Sequence, residues 1–176
     1  KAVIFLQSQS IPKTSRREVE SLQPHDPRHY GGHSAIFTLE APSNLMIRIG
    51  IIGCGRILAA HLRGYRLLRE AGVDDFQITA LCSRQRSDAE MYLERGGDIP
   101  QRPAVSTLPG DPLSVGDEYL SDFQPGVSVD IHTDYRELIK SGSVDAINDY
   151  TVHSLHHEIA ADAFSHGLHL MTQKPL

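Results

Sequence analysis

Two glycines flank a cysteine at Gly53-Cys54-Gly55, between a short β-branched run and an amphipathic stretch. Missing side chains at that hand-over let the backbone turn tightly and approach a diphosphate, with the following helix N-terminus facing the anion. Gly53, Gly55 and the next two residues, Arg56 and Ile57, are therefore candidates for dinucleotide contact; the alternative is a plain tight turn. The third position of such a fingerprint is usually Gly or Ala. Here it is Leu58, so either the helix stands further out or Leu58 turns away. After the second strand an acidic residue would accept from a ribose 2′-hydroxyl. The matching position instead holds Ser83 and Arg84, with Arg86 close by and no carboxylate, which on charge grounds favours NADP over NAD. The alternative is that Arg84 and Arg86 are solvated residues at the start of a helix capped by Asp88. Cys54 at a helix start is either a reactive thiol or a packing residue. The histidines at 153, 156 and 157 invite a metal, but His157-Glu158-Ile159-Ala160-Ala161 lacks the second histidine of a zinc-protease helix, and no metal is expected. No G-x-S-x-G elbow occurs.

These residues need a sheet to position them. Ile47, Ile49, Ile51 and Ile52 read as a buried parallel strand. Leu58, Leu62, Tyr65 and Leu68 then recur at helical spacing, opposite Arg63, Arg66 and Arg69. Residues 76–82 read as a second strand and 88–94 as a helix. Between Gly96 and Ser128 lie five of the ten prolines, which excludes a central strand or long helix and marks an insertion loop; Tyr119 and Phe123 predict that its second part packs. A third strand follows at 129–132. A helix is expected at 134–140, with Asp134 and Glu137 as its start signal and Gly142 as its stop. Strands at 144–150 and 168–172 bracket a helix at 154–166. Strands alternating with helices predict an α/β fold of Rossmann type, a doubly wound parallel sheet that is incomplete at about five strands.

The chain has 176 residues, enough for one domain with a real core. Seventeen basic against twenty-two acidic residues, a net charge of -5, argue against a nucleic-acid partner. Two unpaired cysteines suit a reducing compartment, so cytoplasmic is the expectation. The apolar run Ala2 to Leu6 is too short for a signal core or a membrane span. Residues 1–45 show no period and read as an irregular leader, with Met46 as a natural start.

The segments IGIIGCGRILAAHLRGY, VDAINDYTVHSLHHEIAADAF and GLHLMTQKPL together resemble the N-terminal domain of the glucose-fructose oxidoreductase / inositol dehydrogenase / rhizopine catabolism (Gfo/Idh/MocA) family. The resemblance covers roughly Ile47 to Leu176, apart from the proline-rich insertion. It implies NAD(P)-linked oxidation or reduction at a hydroxyl carbon of a sugar, polyol or related small molecule. Gly53, Gly55 and His61 match the family's first turn and following histidine, and Ser83 and Arg84 its ribose-reading position. Thr151 and His156 match a Thr-Pro-x-x-x-His segment that lines the nicotinamide end, with Val152 in place of proline. Gln173-Lys174-Pro175 matches Glu-Lys-Pro, which makes Lys174 the expected hydrogen-bond partner of the reacting oxygen and a cofactor neighbour. Its alternative is a surface lysine before a proline turn. The family's second domain carries substrate, acid/base residues and often the oligomer contact. The chain ends at Leu176, so that domain is expected to be absent, the fragment inactive alone, and the last strand an open edge. Two other classes stay open: a non-catalytic dinucleotide-binding module and a methyltransferase using S-adenosylmethionine.

Overall fold

A computed structural model of the chain describes residues 46–174 and the backbone of Val3–Phe5. Apart from that short strand, the expected leader lies outside the described residues, as do Pro175 and Leu176. The elements run β1 (Val3–Phe5), β2 (Ile47–Ile52), α1 (Leu58–Glu70), β3 (Phe76–Cys82), α2 (Arg86–Glu90), a 3-10 helix (Leu120–Asp122), β4 (Asp130–His132), α3 (Tyr135–Lys140), β5 (Ala146–Asp149), α4 (His153–Ser165) and β6 (His169–Thr172). The sheet order is β1-β6-β5-β2-β3-β4. Strands β2 to β6 run parallel to one another, as the alternation of strand and helix requires.

The side-chain alternation of β2 sends Ile49 and Ile51 to one face and Ile52 to the other. Ile51 packs with Leu58, Leu62 and Tyr65 of α1; Ile52 packs with Leu138 of α3 and Ile159 and Ala163 of α4. Leu58 and Leu62 are fully buried. Each such side chain contributes about 2 kcal/mol on leaving water, which outweighs the roughly 1 kcal/mol that Gly64 costs in a helix interior. Leu58 therefore does not turn away: α1 packs on the sheet through it.

Two expectations are corrected and one alternative is excluded. The edge of the last strand is not open, because Val3–Phe5 pairs antiparallel with β6, Val3 opposite Thr172. A Val-Ile-Phe run has the β-propensity to use the hydrogen-bonding groups an edge strand leaves unpaired. The helix expected at 88–94 spans Arg86–Glu90, with Gln85 at its N-cap, an Arg86–Glu90 ion pair at 2.8 Å along it, and turns beyond. Asp88 does not cap it, because its carboxylate is taken by Ser83 and Arg102.

Residues 97–119 form neither strand nor α-helix. Packing of the later part is specific: buried Gln124 accepts from Ile78 N at 3.0 Å and donates to Ile78 O at 2.8 Å, using its amide as a strand would. The Arg66 guanidinium donates twice to Glu118, each at 2.9 Å. Among the described residues no helix is long and apolar enough to cross a membrane.

Candidate functional site

The chain leaves β2 in one direction, through β3 and β4, and returns to add β5 and β6 on the other side of β2. A crevice opens at such a reversal, beyond the carboxyl ends of the two central strands. Gly53 ends β2 there with φ +100°, and a Cβ at this position would lie 2.7 Å from the Tyr150 carbonyl carbon and 2.9 Å from Thr151 N. Only glycine lets the β2 turn rest on the loop after β5. At Gly55 a Cβ would meet nothing within 4 Å. The backbone N–H of Arg56, just before α1, has no acceptor among the described residues, so open space and an orphan donor meet where an anion would lie. Tyr92 braces this turn by donating its hydroxyl to Gly55 O at 2.8 Å. Burial pushes that phenol up to about 12, so it stays a donor. Cys54 is 1% exposed, its Sγ 3.6 Å from Cys82 O, and burial pushes the thiol up. It packs; it is no nucleophile.

Gly53, Gly55, Ser83, Arg84 and Thr151 line one cavity of about 700 Å³ at this edge. The other expected contacts do not. Arg56 is exposed, Ile57 is half-buried against the α1 core cluster, and Lys174 is exposed just beyond β6. His156 is 2% exposed and cannot line the cavity. Its Nε2 sits 3.0 Å from Thr151 O, so it supports the loop from beneath. Ser83 and Arg84 follow β3 with no carboxylate between them, but one reaches the same wall from α2. Asp88 lines the cavity and accepts from Ser83 Oγ at 3.4 Å.

At the other end a buried polar network ties the two strand ends together. Asp149, fully buried at the end of β5, accepts from Thr151 N at 2.9 Å, Thr151 Oγ1 at 2.7 Å and Thr172 Oγ1 at 3.1 Å. The backbone of Gln173 donates to Asp149 O at 3.1 Å, and its amide lies 2.9 Å from His61 Nε2. His61 stacks on Tyr150 at 3.8 Å between ring centroids, and burial lowers its affinity for a proton. A neutral imidazole can accept the Gln173 N–H at Nε2. Asn148 adds a short hydrogen bond to the Tyr65 hydroxyl. Sequence reasoning missed Asp149, Asn148 and Arg102. The first two had a signal: two polar residues inside a strand that the topology buries on both faces.

Among the described residues no cluster of three or more His, Cys, Asp or Glu side chains is arranged to hold a metal ion. Residues 47–176 match the model of the oxidoreductase family with an NAD-binding Rossmann fold, Gfo/Idh/MocA. The chain belongs to this family. Its resemblance to the Gfo/Idh/MocA N-terminal domain is thus confirmed, and with it the Rossmann-type parallel sheet. No curated protein matches the chain by sequence. Among solved structures it is similar to the WlbA dehydrogenase from Chromobacterium violaceum in complex with NADH and UDP-GlcNAcA, at 17% identity and TM-score 0.50, over 77% of this chain and 29% of that one. At that identity the likeness is one of fold. It is also similar to an oxidoreductase from Thermotoga maritima (29% identity, TM-score 0.45, 73% of this chain, 30% of that one). A third is scyllo-inositol dehydrogenase from Lactobacillus casei with NAD(H) and scyllo-inositol (16%, 0.47, 74% and 28%). The chain spans less than a third of the length of each of these proteins.

Proposed function

We propose that this chain is the dinucleotide-binding part of an oxidoreductase that transfers hydride between NADP or NAD and a hydroxyl carbon of a sugar, polyol or related small molecule. The observation that carries this reading is the β2 turn at the sheet reversal, where Gly53 is pressed on the β5 loop and Gly55 faces open space. A cofactor diphosphate fits there, against the bare backbone before α1. When bound, the nicotinamide supplies the hydride acceptor or donor.

The chain's own residues bind, orient and handle a proton. Gly53, Gly55, Arg56 and Ile57 present backbone to the diphosphate, Ser83 and Arg84 the adenosine ribose, and Thr151, held by Asp149 and His156, the far end of the groove. Lys174 follows β6 at the carboxyl edge and donates to the reacting oxygen, stabilising charge there as its proton leaves or returns. NADP is the favoured cofactor because the adenosine wall offers guanidinium groups to a 2′-phosphate. A second reading, a non-catalytic dinucleotide-binding module, draws on the Gln173 amide being engaged by His61 and on the exposure of Lys174.

Replacing the lysine separates the two. Lys174→Ala in the full polypeptide should lower turnover of its polyol substrate by about 10²–10⁴-fold while NADPH affinity stays unchanged. Unaltered turnover in this variant would remove the role given to Lys174, and a full polypeptide that binds NADPH yet turns over no polyol would favour the module over the enzyme.

A further inference from the structure

One charged side chain in the cavity comes from none of the elements that build a dinucleotide site. Arg102 lies in the proline-rich segment, between Pro100 and Pro103, and reaches the cavity wall. Its neighbour Gln101 anchors that stretch, donating to Glu118 O at 2.6 Å and accepting from Asp117 N at 3.1 Å. The Arg102 guanidinium makes a short ion pair with Asp88 and lies 3.4 Å from Cys54 O, inside the glycine turn. Asp88 in turn accepts from Ser83. Arg84, on the same wall, is exposed and has no ion-pair partner among the described residues. Asp134 and Arg136 also line the cavity, but Arg136 is paired with Glu158 and Asp162, and Asp134 accepts from the Arg136 backbone at the start of α3.

The sign of this wall depends on Arg102. A lone carboxylate beside Ser83 would accept from a ribose 2′-hydroxyl and repel a phosphate on it. With its guanidinium in place the Asp88 charge is offset, and Arg84 remains as surplus positive charge. A guanidinium carries five N–H donors, more than Asp88 and the Cys54 carbonyl use.

We propose that Arg102 is a specificity-determining residue for the cofactor: it neutralises Asp88 and joins Arg84 in holding the 2′-phosphate of an NADP-type dinucleotide. The proposal rests on the dinucleotide-binding reading above. It gives the proline-rich segment a task, since the loop delivers one half of a phosphate clamp whose other half ends β3.

The test is the pair of dissociation constants for NADPH and NADH, measured by calorimetry on the full polypeptide. Arg102→Ala should weaken NADPH by about tenfold or more, the weight of a charge-assisted hydrogen bond, while NADH binds as well as before or more tightly, because the freed Asp88 carboxylate can accept from its 2′-hydroxyl. Removing the carboxylate as well, in Arg102→Ala/Asp88→Ala, should recover part of the NADPH affinity, and melting curves of both variants report whether the fold is kept. If wild type binds both dinucleotides and Arg102→Ala leaves their ratio unchanged, Arg102 has no such role. A double variant that binds NADPH no better than the single one overturns the neutralisation of Asp88. Wild type binding neither dinucleotide would instead sink the reading of the site itself.

Discussion

At Gly53 the fold and the site depend on the same missing side chain, whereas at Gly55 only the site does. A methyl group at 53 would collide with backbone on the β5 loop at 2.7 and 2.9 Å and would sit at φ +100°. Backbone cannot give way as a flexible side chain can, so Gly53→Ala should destabilise the protein by about 1–3 kcal/mol, read as a lower midpoint of denaturant unfolding. At 55 the added methyl meets nothing. Gly55→Ala should therefore leave the unfolding midpoint within about 0.5 kcal/mol and weaken cofactor binding, because the methyl occupies the space the diphosphate needs. Equal destabilisation by both substitutions would contradict this division. Tyr92 and Cys54 show the same economy: burial keeps both neutral, one as a donor to Gly55 O and the other as packing.

Among the elements, β5 and β6 carry the burden of alignment. Asp149 holds Thr151 of the β5 loop and the last residue of β6 with one carboxylate, and Gln173 adds a backbone bond and a contact to His61. Asp149→Ala leaves the buried Thr172 hydroxyl and the half-buried Thr151 N–H and hydroxyl without their acceptor and should cost about 3 kcal/mol at roughly 1 kcal/mol for each, measured by urea unfolding. A loss below 1 kcal/mol would mean that the loop and strand are aligned by other contacts. How much of this was legible in the sequence follows the range of the interactions. The Ile47–Ile52 strand, α1 and the Asp134 cap are written in neighbouring residues, so period and capping found them. Local pattern keeps the alternative of Asp88 as a cap open, because its partner Arg102 lies 14 residues away in a loop without periodicity. The tie from Gln173 to His61 spans 112 residues and the one from Asn148 to Tyr65 spans 83, beyond the reach of local pattern. Strand β1 was missed because three apolar residues in an aperiodic stretch carry too weak a signal.

For the whole molecule, one topology explains why residues from both halves of the chain meet. The sheet reverses at β2, so the glycine turn, the Ser83-Arg84 corner and the Thr151 loop come to a single edge although they are spread over about a hundred residues. Helices on both faces leave that edge as the open concavity, and the proline-rich segment adds its wall with Arg102. The central claim is that this edge holds a nicotinamide dinucleotide with its diphosphate on the β2 turn. A crystal structure of the full polypeptide grown with NADPH tests it most directly. The diphosphate oxygens should lie within about 3 Å of backbone N–H groups between Gly55 and Ile57, with the adenosine beside Ser83 and Arg84. Density for the dinucleotide anywhere else on the protein, with the β2 turn bare, would contradict the account.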